Sequence, residues 1–231
     1  MREIVFDTET TGLNPAGGDR MVEIGCIEIF NRVETGRHFH AYFNPERDMP
    51  GEAEAVHGLS TVFLSDKPRF SECADALIAF IEESPLVAHN ASFDFGFLNA
   101  ELDRCGRPIV CVSRMRDTLQ LARTRHPGAK HSLDALCMRF GIDRSHRVKH
   151  GALLDAQLLA QVYVELTGGR QIGLGLVAEA GSVAVQAAAG PVTVREPRPP
   201  RPHFAAEEEL ARHRAFISRL VNPLWARFAG G

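Results

Sequence analysis

Apolar residues change their period several times along the chain, and each change predicts an element. Glu3 to Phe6 is a short apolar run that reads as a buried strand. Met21 to Phe30 carries Val22, Ile24, Cys26, Ile27 and Ile29, a second strand that ends at the turn Asn31-Arg32. Arg37 to Phe43 sets Phe39, Ala41 and Phe43 against His38, His40 and Tyr42, the alternation of a third strand. The period then lengthens. Ala74, Leu77, Ile78 and Ile81 predict a helix over Ser71 to Glu83, with Ser71 as its cap. Leu86-Val87-Ala88 predicts a fourth strand, Ser92 to Cys105 a helix, and Ile109 to Val112 a fifth strand. Further helices are expected at Asp117 to Arg125, Ser132 to Phe140 and Gly151 to Thr167, the last ended by Gly168-Gly169.

Three strands followed by alternating helices and strands predict an α/β domain over 1–169, a mixed sheet flanked by helices in RNase H-like order. Beyond it the period is lost. Residues 170–206 are rich in Ala, Gly, Val and Pro, which predicts a flexible linker. From Glu207 a helical spacing returns through Leu210, Phe216, Ile217, Leu220, Leu224, Trp225 and Phe228 in 207–231, bent at Pro223. A segment this short cannot bury its own apolar face, so a docking role is expected.

Composition adds exclusions. The chain has 231 residues, 45% hydrophobic and 24% charged, which suits a globular protein. A net charge of −3 argues against extensive wrapping of duplex nucleic acid. Five cysteines without a C-x-x-C pair argue against a disulfide framework or a zinc site, and fit a reducing compartment. The first residues form a strand pattern with no signal-like apolar core, and no apolar run is long enough to span a membrane.

Against this background several acids are out of place. Asp7 and Glu9 are two apart on a strand, so both side chains face one way. Asp94 shares the stripe of Phe97 and Leu98. Asp155 begins a stripe continued by Leu158, Leu159, Val162 and Leu166. A charged strand end or a favourable helix dipole accounts for Asp7, Glu9 or Asp94 taken singly. Asp155 on the apolar side has no such account. Buried acids that face one another require a counter-charge, and oxygen-only ligands suit Mg2+ or Mn2+. His150, five residues before Asp155, supplies an imidazole that can accept a proton from water. The set describes two-metal phosphodiester hydrolysis, with the ions about 3.5–4 Å apart.

Asp7-x-Glu9, the Asn90 to Asp94 segment and His150-x-x-x-x-Asp155 together resemble the three motifs of the DEDD exonucleases in their histidine branch. The tyrosine branch would place Tyr where Gly151 stands. Ala55-Val56-His57-Gly58-Leu59 and Ser132 to Cys137 extend the likeness to the proofreading exonucleases of bacterial replicases. The resemblance implies that Asp7, Glu9, Asp94 and Asp155 carry the metals and that His150 is the general base. It also implies that Thr8, Thr10, Gly12, Leu13, Glu52 and His57, beside Asp7, Glu9 and Asp155, hold the terminal nucleotide of a 3′ end. The product would be a 5′-mononucleotide. In the tail, Gln171, Leu174 and Leu176 resemble a sliding-clamp-binding peptide (171–176), and Phe216, Ile217, Leu220, Leu224, Trp225 and Phe228 a segment that docks on the polymerase α subunit. A small accessory core subunit and a cytoplasmic, nucleoid-associated location are expected with them. A 3′→5′ exoribonuclease is the competing enzyme reading, and a non-catalytic clamp–polymerase tether the competing reading of another class.

Overall fold

The structure, a computed structural model, describes residues 1–145, 149–169 and 204–220. They fall into two units, one within Met1–Leu176 and one within Val177–Gly231. The first unit is built on a five-stranded sheet: β1 (Arg2–Thr10), β2 (Met21–Phe30), β3 (Val33–Tyr42), β4 (Leu86–Ala88) and β5 (Met115–Asp117). Its spatial order is β3-β2-β1-β4-β5. The first three strands form an antiparallel meander, and β4 and β5 run parallel to β1. The helices are α1 (Gly51–His57), α2 (Thr61–Leu64), α3 (Phe70–Ile81), α4 (Ser92–Arg104), α5 (Thr118–Arg125), α6 (Leu133–Phe140) and α7 (Ala152–Leu166). The predicted mixed sheet flanked by helices is present.

Alternation along β1 gives the sheet two buried faces. Ile4 and Phe6 join Phe97, Leu98 and Leu102 of α4 and Ala74 and Leu77 of α3. Val5, on the other face, packs with Ile27, Val87, Ala156, Leu159 and Ala160 under α7. A hydrogen bond from the Tyr163 hydroxyl to Glu3 Oε1 (2.8 Å) fixes the far end of α7 to β1.

Some expected elements move. The apolar run Ile109 to Val112 is not the fifth strand, which is Met115–Asp117. Asn99 of α4 explains the shift: its amide Nδ2 donates to the Val110 carbonyl (3.0 Å), and its Oδ1 accepts from the Val110 N–H (2.8 Å). A side chain thus takes the two backbone bonds that a neighbouring strand would have supplied. The helix expected from Ser71 begins at Phe70, and Glu72 rather than Ser71 caps it, accepting from the Arg69 N–H at 2.7 Å. Helices α1 and α2 were not expected. The first is bounded by Pro50 and by Gly58, whose φ of 78° is a left-handed stop.

In the second unit the described helix is α8 (Glu207–Ile217). Phe216 and Leu220 are exposed there, and Ile217 is half-buried. Gln171, Leu174, Leu176, Leu224, Trp225 and Phe228 lie outside the described residues.

Candidate active site

β1 carries Asp7 and Glu9 on the face that packs under α7. Their ladder partners on β2 are Gly25 and Glu23, and the register breaks between Glu9 and Thr10. The sheet therefore stops pairing regularly where the acids stand, a common setting for a site. Gly25 controls how near α7 comes. A Cβ there would lie 2.3 Å from the Leu153 Cα and N and 2.5 Å from the Ala152 carbonyl carbon. The missing side chain lets the first turn of α7 rest on the sheet beside Asp7, and that turn carries Asp155.

Asp94 arrives from the opposite layer, in the first turn of α4. Thr8, between Asp7 and Glu9, points that way and donates from Oγ1 to Asp94 Oδ1 at 2.7 Å. The turn before α4 is held by Asp117, whose Oδ1 accepts from the N–H of Asn90 (3.1 Å), a residue at φ 61°. Glu9, Asp94 and Asp155 are buried and Asp7 is partly so. Two acids from one strand and one from each of two helices, on opposite layers, meet at one end of the sheet.

Asp7 stands where the repulsion of the cluster converges. Burial, and then the carboxylates of Asp94, Glu9, Asp155 and Glu23, hold Asp7 well above the usual carboxylate range. Burial pushes Asp94 up to about 7, against the opposing hydrogen bond from Thr8. Such a group cannot be fully ionised by itself; it suits a bound multivalent cation. Donor atoms of Glu9, His150 and Asp155 lie within 4.8 Å of one another. His150 is half-exposed, and its Nδ1 lies 3.1 Å from Asp155 Oδ2.

Next to the acids is a pocket of about 390 Å3, lined by residues that include Thr8 to Leu13, Glu52, Val56, His57 and Phe93. All six residues expected to hold the nucleotide besides the acids are in this wall. His57 is buried at the end of α1, and its Nδ1 accepts from the Leu59 N–H at 3.0 Å. The ring proton is then on Nε2, which is buried, with the Thr10 carbonyl as the backbone acceptor facing the ring. Burial holds this imidazole below its ordinary pKa. The same short helix reaches the other histidine, since the His150 N–H donates to the Val56 carbonyl at 3.4 Å.

Val56 and Phe93 also line this wall, and neither was expected there. Nor was Glu23, a buried acid opposite Glu9 whose Oε1 lies 2.8 Å from His40 Nε2. Glu23 interrupts the apolar pattern of β2 as Asp155 does that of α7, so the same argument would have found it.

A sheet of this order with converging acids at its end is the arrangement of a nuclease. The family described as Exonuclease (RNase_T) matches residues 4–163. The chain is 49% identical over 224 residues to DNA polymerase III subunit epsilon of Rickettsia conorii, covering 96% of this chain and 97% of the relative. It is 44% identical to the subunit of that name from Escherichia coli, covering 93% and 91%. Among solved structures, Exonuclease X in complex with 5′ overhanging duplex DNA aligns at TM-score 0.54 and 26% identity, over 71% of this chain and 90% of that one. An exonuclease I aligns at TM-score 0.61 and 18% identity over 71% and 40%, a likeness of fold. The chain belongs to the DNA polymerase III epsilon-subunit family of exonucleases. Its activity is the 3′→5′ DNA exonuclease activity of proofreading, in a divalent-metal-dependent family.

Proposed function

We propose that Asp7, Glu9, Asp94 and Asp155 hold two divalent cations, Mg2+ or Mn2+, and that His150 is the general base for hydrolysis of a DNA 3′-terminal phosphodiester. The observation that carries this reading is the convergence on Asp7 of three further carboxylates, Glu9 of β1, Asp94 of α4 and Asp155 of α7. When bound, the cations supply charge stabilisation to the scissile phosphate and to the departing 3′-oxygen, and acidify the attacking water. Asp155 orients the His150 ring by accepting from Nδ1–H, which leaves Nε2 as the basic nitrogen for the proton of water. Thr8 holds Asp94 in place. The wall formed by Thr8, Thr10, Gly12, Leu13, Glu52 and His57 receives the last nucleoside. The product is a 5′-mononucleotide.

For the rest of the chain, 1–169 is the exonuclease domain and 170–206 a linker that keeps it near the primer end by effective concentration. Residues 207–231 dock on the polymerase α subunit as an apolar helix laid in a groove. The exposure of Phe216 on α8 and of Leu220 just after it supports that role. Residues 171–176 bind the sliding clamp, a small accessory subunit completes the core, and the assembly works in the cytoplasm at the nucleoid. The test of the catalytic reading is digestion of a 3′-labelled single strand with and without Mn2+. Release of 5′-mononucleotide that needs the metal and is lost in Asp7→Ala supports it; full activity in that variant refutes the site.

A further inference from the structure

Most basic side chains of the exonuclease unit are matched to acids: Arg20 to Glu101, Arg107 to Asp75 and Arg144 to Asp134, for example. The stretch from Thr118 to Leu133 differs. It contains no Asp or Glu, yet carries Arg123, Arg125 and Lys130, and Arg139 follows on α6. All four are exposed, and among the described residues none is in an ion pair within 4 Å. Lys130 and Arg139 line one shallow depression of about 410 Å3, with Asp134 also in its wall.

This surface begins at the catalytic cluster. Thr118, the first residue of α5, has its Oγ1 2.9 Å from His89 Nδ1, and Asp117 before it accepts from the Asn90 N–H. His89 and Asn90 lead directly into the α4 turn that bears Asp94. Arg123 and His131 are both within electrostatic reach of His89. Unmatched cations therefore stand beside the edge of the site: Arg123 near His89, Lys130 next in the chain to His131, and Arg139 in the same depression as Lys130.

We propose that Arg123, Lys130 and Arg139 form a track for the phosphates of the DNA strand upstream of the terminal nucleotide. The inference rests on the exonuclease reading and adds a second point of contact with the substrate. Cations left without acid partners are what an anionic backbone requires, and contacts of this kind position a strand without reading its sequence. Arg125 is two positions from Arg123, about 200° round the helix, and lies off the track.

The test compares two substrates in the full-length protein: a single-stranded 12-mer, and thymidine 5′-(p-nitrophenyl) phosphate, which has no upstream phosphates. Replacing Arg123, Lys130 and Arg139 together by Gln should lower kcat/KM on the 12-mer roughly tenfold at low salt and leave the small ester unchanged. The slope of log kcat/KM against log salt should fall by about 0.7 for each phosphate that the variant no longer neutralises. Arg125→Gln should change neither. An unchanged ratio of the two substrates overturns the track, whether both rates hold or both fall. An equal effect from Arg125→Gln also overturns it. Failure of the exonuclease reading would look different, because the unaltered protein would then turn over neither substrate.

Discussion

Gly25 stands directly across the β1–β2 ladder from Asp7, and the backbone of Leu153 occupies the space where its side chain would be. One absent methyl group sets the distance between the strand that bears two of the acids and the helix that bears Asp155. Gly25→Ala should force α7 away from the sheet. Overpacking of this kind costs about 1–3 kcal/mol, so the protein should remain folded at 25 °C. Activity should fall much further than stability, and Mn2+ binding followed by calorimetry should weaken in parallel. A variant that keeps normal metal affinity would separate the glycine from the site.

Asp94 gives the metal-free protein a pH dependence of known sign. Its pKa is raised to about 7 in the folded state, from an ordinary value of 3.8. The folded state therefore holds a proton that the unfolded chain releases. The stability contributed by that proton is complete below about pH 4 and is lost as pH rises through 7. Asp94→Asn cannot lose it. Without metal, the variant should melt above the unaltered protein at pH 8, and the gap should close toward pH 5. Saturating Mn2+ should reverse the order at pH 8. Melting curves at the two pH values, with and without the ion, are sufficient.

How far these features can be read from the sequence varies with the physics behind each. The sheet was legible because β2 is a long apolar run, β1 has a short one in Ile4 to Phe6, and α7 is long enough for its stripe to declare itself. Asp155 was legible for the same reason, as a charge on the wrong side of that stripe. Met115–Asp117 was not, since three residues carry no period, and the nearby run Ile109 to Val112 looks more like a strand. What decides between them is Asn99, a polar residue whose partner in space cannot be read from its neighbours in sequence. Helix α1 is two turns long and is made by its stops and its packing rather than by amphipathicity. Its importance came from a resemblance, through His57, and its geometry only from the structure.

His57 lines the pocket beside the acids, and its ring also holds the backbone after α1 by accepting from the Leu59 N–H. His57→Phe keeps a ring of similar shape but removes that acceptor. Stability should therefore fall by about 1–3 kcal/mol, the cost of a stranded backbone N–H. KM for a single-stranded oligonucleotide should rise by about five- to tenfold, the equivalent of one hydrogen bond. A lower melting temperature with unchanged KM would make His57 a core residue.

Removal of everything from Glu207 onward should leave exonuclease activity on a short single strand intact, because all the converging acids lie before Gly169. Co-purification with the polymerase α subunit should be lost. If the shortened chain still co-purifies, docking belongs to another segment and the exposed Phe216 and Leu220 need a different explanation.

His150 is the half-exposed member of an otherwise buried cluster, and its Nδ1 is engaged by Asp155. A residue so placed can exchange protons with solvent between turnovers, which a buried carboxylate cannot do as readily. His150→Ala should therefore lower kcat by about 10²–10⁴-fold, the usual contribution of a general base. Mn2+ affinity, read from the EPR signal of the free ion, should change much less, because the carboxylates remain. KM should stay near its original value, since the ring is not part of the pocket wall. Equal losses of metal affinity and of rate would instead make His150 a ligand, and the donor atoms it shares with Glu9 and Asp155 would then mark a metal position rather than a proton path.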